Sequence, residues 1–158
     1  MLKMKVKAVG IEQESGVPIV ILTDEAEKGV LPLLIGYSEA RSISMVLDNV
    51  EVSRPLTHDL AISFIEILGG KVKRIEITDL IDDTYYAKIY IEADGKVHEV
   101  DARPSDAIAL ALRLNVDIFA DEKVLNTSIK TEMLVDKEME DFRKFLDEVS
   151  PEDFKKYY

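Results

Sequence analysis

The amino-acid sequence predicts an α+β domain in which a mixed, curved β-sheet carries helices, followed by a C-terminal helical tail. Three observations lead to this prediction. Apolar segments of strand length alternate with amphipathic segments of helix length. The order of these segments repeats along the chain with an offset of about 66 residues. The last part of the chain is acidic and amphipathic, unlike the part before it.

The first half of the chain is predicted to form three strands and then a helix. The strands are expected near residues 3–11, 17–23 and 31–35, and the helix near residues 39–48 with Ser38 as its N-cap. The second strand has a continuous apolar run where a half-exposed strand would alternate. We therefore expect it to be buried on both faces.

A second helix is predicted to follow the segment RPLTHDL. Thr57 is the expected N-cap, and the Gly-Gly pair that follows Leu68 ends the helix. Four apolar residues recur at helical spacing and predict one buried face. They are Ala61, Phe64, Ile65 and Leu68.

The second half repeats the pattern of three strands and a helix. The strands are expected near residues 71–78, 84–92 and 97–100, with Asp94-Gly95 as a hairpin turn. The helix that starts at Pro104 is apolar nearly all round, which predicts burial. A short strand is expected at residues 117–120.

The two halves match in sequence as well as in pattern. KVKAVGIE at residues 5–12 aligns with KVKRIEIT at 71–78, and Ser38-Glu39-Ala40 aligns with Ser105-Asp106-Ala107. We interpret this as an internal duplication, with halves at about 4–50 and 70–116, arranged about a pseudo-two-fold axis. The alternative is that amphipathic strands resemble one another by chance. The duplicated domain is expected over residues 1–126, and an amphipathic helical extension over 127–158.

Composition narrows the classes of function. The chain has 158 residues and no cysteine, which excludes a disulfide scaffold, a thiol nucleophile and a cysteine zinc site, and its two histidines disfavour a histidine-rich metal site. No apolar run is long enough to span a bilayer, and the N-terminus lacks a signal-peptide core, so we expect a cytoplasmic protein without a membrane partner. Glutamine and asparagine are rare while glutamate and lysine are abundant, which indicates heat adaptation if it is not chance in one short chain.

The formal net charge is −11, from 20 basic and 31 acidic residues. Nucleic-acid binding by general electrostatic attraction is therefore disfavoured, because such binding depends on lysine and arginine displacing counterions. An acidic enzyme that bridges phosphates through a divalent cation remains compatible with this charge.

Two Arg-Pro segments, RPLTHDL and DARPSD, concentrate polar residues at helix starts. A helix N-terminus offers unpaired N–H groups to an anion, and a neighbouring arginine adds bidentate hydrogen bonds. An imidazole can exchange protons near neutral pH, and carboxylates are hard ligands for Mg²⁺ or Mn²⁺. The candidate phosphate-binding residues are Arg54, Thr57 and Ser105; the candidate catalytic residues are His58, Asp59, Asp101, Arg103 and Asp106; the candidate metal ligands are Asp101 and Asp106.

Each of these residues also has an ordinary structural explanation. Thr57 and Ser105 are typical helix caps, and an aspartate in a first helical turn suits the helix dipole. Arg103 can simply neutralise Asp101 or Asp106, and a histidine in a first turn often serves as a hydrogen-bonding group. His98 is predicted to lie on the surface of a strand.

The same segments resemble the bifunctional nuclease domain family. RPLTHDL, the following LGGKVKRIEI, the earlier LPLLIGYSEARSI and above all VDARPSDAIALALR at residues 100–113 are similar to that family, over roughly residues 5–126. The tail EMEDFRKFLDEVSPEDF is similar to extensions that follow this domain in bacterial members. The resemblance implies nuclease activity on DNA and RNA. It points to Arg54, Thr57, His58, Asp59, Asp101, Arg103, Ser105 and Asp106.

Three functional hypotheses follow. In the first, the protein is a nuclease of low sequence specificity with a metal on Asp101 and Asp106, either alone or together with Asp59. His58 is then the general acid or base, and Arg54 and Arg103 bind the phosphate. In the second, it is a non-catalytic module that binds an anion or a protein. In the third, it is a structural homo-oligomer. Under any of them we expect a homodimer, because apolar strands and an amphipathic tail offer surfaces for self-association.

Overall fold

One seven-stranded β-sheet and three α-helices make up the part of the chain that the computed structural model describes, residues 1–125. This confirms the predicted α+β class. The strands are β1 (Leu2–Ile11), β2 (Pro18–Asp24), β3 (Val30–Leu34), β4 (Lys71–Ile81), β5 (Thr84–Ala93), β6 (Lys96–Ala102) and β7 (Asp117–Ala120). The helices are α1 (Tyr37–Leu47), α2 (Thr57–Ile67) and α3 (Pro104–Leu114), and a short 3-10 helix spans Glu122–Val124.

The strand order across the sheet is β3-β2-β1-β7-β4-β5-β6. Each half is an antiparallel three-stranded meander followed by a helix, and the two meanders lie on opposite sides of β7. Strand β7 runs antiparallel to β1 and parallel to β4. The sheet is therefore mixed, and β1 and β4, the first strands of the two halves, run antiparallel to each other on either side of β7.

Strand irregularities repeat along with the strands. The pairing of β1 with β2 shifts register between Val6 and Ala8, and the pairing of β4 with β5 shifts between Val72 and Arg74, which lie 66 residues further along. A β-bulge bends its strand and increases the local twist. Both halves of the sheet therefore bend at the equivalent position.

The main hydrophobic core lies between the sheet and the layer formed by α1 and α3, which contact each other. Seven of the eleven residues of α3 are buried, as its apolar composition predicts. Strand β2 is buried along both of its faces, as predicted from its continuous apolar run. Alternate residues of β2 serve the main core and a second, smaller cluster of Ile19, Ile21 and Val30.

Helix α2 differs most from its prediction. None of its residues is fully buried. Ala61 and Ile65 pack against the main core, whereas Phe64 and Leu68 are exposed, so half of the predicted buried face was assigned wrongly. The helix has the predicted period, but it lies at the edge of the layer and only one side of it meets the domain.

The predicted helix caps are also corrected. Thr57 is the first helical residue of α2 and Leu56 is the N-cap, while Gly36 takes the N-cap position expected for Ser38. The Leu56 N–H donates to Asp59 Oδ2 at 2.8 Å. The carboxylate of the third helical residue therefore satisfies the N–H of the N-cap residue, which has no acceptor within the helix.

The predicted helical extension over residues 127–158 lies outside the described residues. Within residues 1–125, the helices are too short and too polar to cross a lipid bilayer.

Candidate functional site

The first turns of all three helices meet at one place on the domain. Glu39 is the third residue of α1, His58 the second of α2 and Asp106 the third of α3. Arg103, the N-cap of α3, completes the group. We call Glu39, His58, Arg103 and Asp106 the helix-start cluster. Because helix N-termini carry partial positive charge, carboxylates are stabilised there.

Arg103 joins two carboxylates of this cluster. Its Nε lies 2.7 Å from Asp106 Oδ2, and its Nη2 lies 3.1 Å from Asp106 Oδ1. The same Nη2 lies 2.9 Å from Glu39 Oε1. The Arg103 side chain is nevertheless 66% exposed. The guanidinium is therefore oriented by two carboxylates while one side of it faces solvent.

His58 has a protein partner at each ring nitrogen. Nε2 lies 3.0 Å from Asp106 Oδ1, and Nδ1 lies 2.8 Å from Ser42 Oγ on α1. An ionised carboxylate can only accept, so Nε2 carries the proton. The Ser42 hydroxyl can donate to Nδ1 of the neutral ring or accept from the protonated ring. The imidazole side chain is only 13% exposed.

The Asp106 carboxylate is held in its charged form. Burial by itself raises the pKa of Asp106, but the hydrogen bonds from Arg103 and His58 and their charges outweigh burial. The resulting pKa lies below the ordinary value for an aspartate. The same contacts raise the pKa of Arg103, first through Asp106 and then through Glu39. Arg103 and Asp106 are therefore both charged at neutral pH.

Asp59 belongs to a different group. Its Oδ1 accepts from Arg113 Nε at 2.8 Å, and the Arg113 side chain is only 9% exposed. Arg113 Nη1 also donates to the backbone carbonyls of Ala109 at 3.0 Å and Ser42 at 3.3 Å. Burial alone would raise the pKa of Asp59. The hydrogen bonds from the Leu56 N–H and from Arg113 together outweigh burial, so the pKa of Asp59 lies below its ordinary value. This pair ties α1, α2 and α3 together.

The other residues singled out in the sequence lie apart from these two groups. Arg54 and Thr57 are exposed around the start of α2. Ser105 is buried in the first turn of α3. Asp101 is exposed on β6, where its backbone pairs with Lys88 of β5. The structure thus brings together His58, Arg103 and Asp106 of the predicted set.

A cation bound by Asp101 and Asp106 does not fit this arrangement well. Both oxygens of Asp106 already accept hydrogen bonds from Arg103 and His58. Within residues 1–125, there is no group of three or more histidine, aspartate or glutamate side chains placed to hold a metal ion. The predicted Mg²⁺ or Mn²⁺ stays a prediction.

Sequence reasoning missed three members of these groups, namely Glu39, Ser42 and Arg113. The signal for Glu39 was present, since Ser38-Glu39-Ala40 aligns with Ser105-Asp106-Ala107 in the duplication. Arg113 interrupts an otherwise apolar helix, which predicts a partner for its charge. Nothing in the sequence distinguishes Ser42 from other helical serines.

Comparison with known proteins identifies relatives of the whole chain and of its central part. Residues 20–132 match the family model of the bifunctional nuclease domain. An uncharacterised protein of Mycobacterium tuberculosis is 38% identical over 165 aligned residues, which cover 98% of this chain and 99% of that protein.

Plant relatives match a shorter stretch. Bifunctional nuclease 1 of Oryza sativa subsp. japonica is 27% identical over 109 residues, covering 67% of this chain and 33% of the plant protein. Bifunctional nuclease 1 of Arabidopsis thaliana is 26% identical over 105 residues, covering 64% of this chain and 32% of the plant protein. The chain therefore spans about a third of the length of these plant proteins.

Proposed function

The chain belongs to the bifunctional nuclease domain family, and from that premise we propose that it hydrolyses phosphodiester bonds of DNA and RNA with low sequence specificity. Family membership supports a nucleic-acid substrate, and the relatives named for the activity are the plant proteins. The observation that carries the proposal is the helix-start cluster. An oriented, solvent-facing guanidinium lies beside an imidazole–carboxylate pair.

In this proposal Arg103 binds the scissile phosphate. Its exposed edge can form bidentate hydrogen bonds to two phosphate oxygens and stabilise the charge that develops on them. Asp106 orients the guanidinium through two hydrogen bonds, so little conformational freedom is lost when phosphate arrives. Arg54, exposed in the loop before α2, is proposed to contact the same strand of nucleic acid.

His58 is proposed to act as the general acid or base that transfers a proton during cleavage. Asp106 holds its Nε2–H and stabilises the imidazolium when the ring takes up a proton. The ring then acts on substrate through Nδ1, which requires Ser42 Oγ to give up its contact with that nitrogen.

The acidic character of the protein has a local counterpart. Glu39 and Asp106 both accept hydrogen bonds from the guanidinium of Arg103, so an incoming phosphate competes with two carboxylates. We therefore expect weak binding of nucleic acid, with a salt dependence set by the few phosphates that Arg103 and Arg54 contact.

A second candidate function is a non-catalytic, anion-binding module. The specific observation in its favour is that His58 is 13% exposed and has partners at both nitrogens. In that case the cluster joins the three helices, and Arg103 alone meets the anion.

Cleavage of single-stranded and double-stranded DNA and RNA distinguishes the two. The nuclease proposal predicts that Arg103→Gln and His58→Gln each lower the cleavage rate by about 10²-fold or more. His98→Gln is the matched control, since His98 is exposed on β6. Reactions in Mg²⁺, in Mn²⁺ and in chelator test the predicted cation, and Asp101→Asn tests its proposed ligand. Equal cleavage by all variants would point to a contaminant or to a different site and would overturn the proposal, and folded protein without cleavage would favour the anion-binding module.

A further inference from the structure

We propose that Tyr86 on β5 stacks on a nucleobase of the strand whose phosphate binds at Arg103. This stacking site rests on the proposed function, because it receives the base of a nucleotide that Arg103 is proposed to hold. A base can stack on a side chain only when it is not already paired and stacked within a duplex. The substrate that this site names is therefore single-stranded nucleic acid.

The outer face of the sheet carries aromatic and basic side chains along β5. Ala87 and Ile89 of this strand are buried in the main core, on the face of the sheet against which the helices pack. Because the side chains of a strand alternate between its faces, Tyr86, Lys88 and Tyr90 lie on the opposite face. We call these three residues the β5 row.

Strand pairing brings the first residue of the β5 row next to the proposed phosphate site. Ala87 pairs with Ala102 at the end of β6, and Arg103 is the next residue of the chain. The pairing is antiparallel, so one step further in the same register sets Tyr86 opposite Arg103. The main chains of these two residues are therefore neighbours where β6 leads into α3. A nucleotide bound through its phosphate at Arg103 can place its base on Tyr86.

The Tyr86 side chain is available for this contact. Tyr86 is 39% exposed, whereas the preceding Tyr85 packs against the main core. The flat face of an exposed tyrosine offers apolar area and a π system on which every kind of base can stack. Contact of this kind does not depend on the base sequence, in keeping with the low sequence specificity proposed above.

A second planar group lies further along the β5 row. The guanidinium of Arg74 on β4 lies over the Tyr90 ring, 3.9 Å from its centroid, and its Nε donates to Glu76 Oε1 at 2.6 Å. The Tyr90 hydroxyl donates to Oε2 of the same carboxylate at 2.8 Å. The Arg74 side chain is 39% exposed. Because the planes of arginine side chains stack on bases as aromatic rings do, Arg74 can receive a second base.

The spacing of the β5 row suits successive nucleotides. Alternate residues of a strand are about 7 Å apart, so Tyr86 and Tyr90 are separated by about 14 Å along β5. Lys88 lies between them and pairs with Glu99 of β6, and the side chains of this pair are 43% and 51% exposed. An ion pair as exposed as this one is weak, so the phosphate between two bases can replace the carboxylate.

The equivalent strand of the first half carries aliphatic side chains on its outer face. Strand β2 is the middle strand of the first meander, as β5 is of the second. Its outer residues Ile19 and Ile21 form a buried apolar cluster with Val30. The two halves therefore differ on the outer face as they differ at Arg103. Both differences place groups that can bind a nucleotide in the second half.

Charge on this part of the outer face is close to balanced, although the chain carries −11. Lys88 pairs with Glu99, and Arg74 pairs with Glu76. The exposed Asp101 stands opposite Lys88 in the strand pairing and adds one negative charge near the phosphate site. General attraction to a polyanion is therefore weak here. Stacking supplies the contact that charge does not.

Binding of a single strand with and without its bases tests the proposal. The probes are a labelled oligothymidylate of about 12 nucleotides, the same backbone with tetrahydrofuran in place of every base, and a duplex of equal length. Anisotropy is measured with the full chain in chelator, and gels check that the probes stay uncut. The wild type should prefer the oligothymidylate to the base-free backbone by about five- to hundredfold, the range that one stacked base supplies.

Variants of Tyr86 should change this preference and nothing else. Tyr86→Val suits an exposed strand but lacks the ring. It should bind the oligothymidylate about fivefold or more weakly, and bind the base-free backbone and the duplex within about twofold of the wild type. Tyr86→Phe keeps the ring and should bind as the wild type does. Arg103→Gln should weaken the binding of both single strands, since both carry phosphate.

A charge-preserving variant tests the second planar group. Arg74→Lys keeps a cation beside Glu76 but has no plane on which a base can stack. It should reduce the preference for the oligothymidylate over the base-free backbone while leaving the salt dependence of binding unchanged. Circular dichroism checks that each variant is folded.

Photo-cross-linking locates the base. An oligonucleotide with 5-iodouracil in place of thymine should link to the peptide that contains Tyr86. Equal wild-type affinity for the two single strands, or no binding of either, would overturn the proposal. An unchanged base preference in Tyr86→Val would overturn it too, and cleavage that depends on Arg103 would then leave the proposed nuclease function standing. A base preference that depends on Tyr86, in a protein that cuts nothing, would support the stacking site and contradict the nuclease.

Discussion

Glu39 and Asp106 hold the same position in the two halves of the domain, and both accept hydrogen bonds from the guanidinium of Arg103. Each is the third residue of its helix. The duplication therefore supplies two equivalent carboxylates, and only the second half supplies the arginine between them. The two halves differ at Arg103, and the proposed phosphate site lies at this residue.

Removing the charge of Glu39 should make Arg103 more available to phosphate. We expect Glu39→Gln to bind a fluorescent single-stranded oligonucleotide about two- to tenfold more tightly than the wild type, because one competing carboxylate is lost. Arg103→Gln should weaken binding and reduce its salt dependence. Anisotropy titrations at two salt concentrations measure both effects. Equal affinity of Glu39→Gln and wild type would show that the phosphate does not bind at Arg103.

The Asp106 carboxylate should make the free energy of unfolding depend on pH in the acidic range. Its pKa in the folded protein is below the ordinary value of 3.8, so its charged form favours the folded state. The contribution is present above the unfolded pKa and is lost as the pH falls through the folded pKa. Asp106→Asn should cost about 1–2 kcal/mol of unfolding free energy at pH 7. Urea unfolding from pH 7 to 3 should show the gap between variant and wild type closing below about pH 5. A constant gap would contradict the prediction.

The Asp59–Arg113 pair, in which the arginine side chain is largely buried, should matter to stability more than an exposed pair does. Asp59→Asn leaves the buried guanidinium of Arg113 without its carboxylate, and we expect a loss of about 2–3 kcal/mol in the free energy of unfolding. Asp117→Asn is the control. Asp117 pairs with Lys3 at 2.7 Å, but both side chains are half-exposed, so its loss should be below about 1 kcal/mol. Similar losses from the two variants would argue against the structural role of Arg113.

The tautomer of His58 can be observed directly. Because Asp106 accepts from Nε2, the neutral ring should carry its proton there, with Nδ1 accepting from Ser42. Long-range ¹⁵N–¹H spectra can resolve this, since the chain has only two histidines. Ser42→Ala should change the Nδ1 resonance and leave Nε2 protonated. A neutral ring with its proton on Nδ1 would contradict the assigned geometry and the proton transfer proposed for His58.

The sequence predicts the strands and α3 well because their patterns are strong. Continuous apolar runs and the Asp-Gly turn predict the strands that form the two meanders. The face of α2 was predicted wrongly in part, because periodicity shows that a side is apolar but not what covers it. Phe64 and Leu68 have the right spacing for a core and lie outside it.

The site was predicted as a set of residues but not as a set of contacts. His58 and Asp106 are 48 residues apart, and their hydrogen bond depends on how α2 packs on α3. Asp59 was expected in the same site as a carboxylate of the segment RPLTHDL, yet successive helical residues point in different directions. That difference sends Asp59 to Arg113 and His58 to Asp106.

The position of β7 has a consequence for synthesis on the ribosome. Among the seven strands of residues 1–125, the central strand of the sheet is the last along the chain. Until residues 117–120 leave the exit tunnel, β1 and β4 each present an unpaired inner edge, and such edges are prone to pair with other nascent chains. The inner edge of the first meander therefore stays unpaired while the whole second half is synthesised. A chain truncated before Asp117 would keep two unpaired strand edges, and we expect it to aggregate.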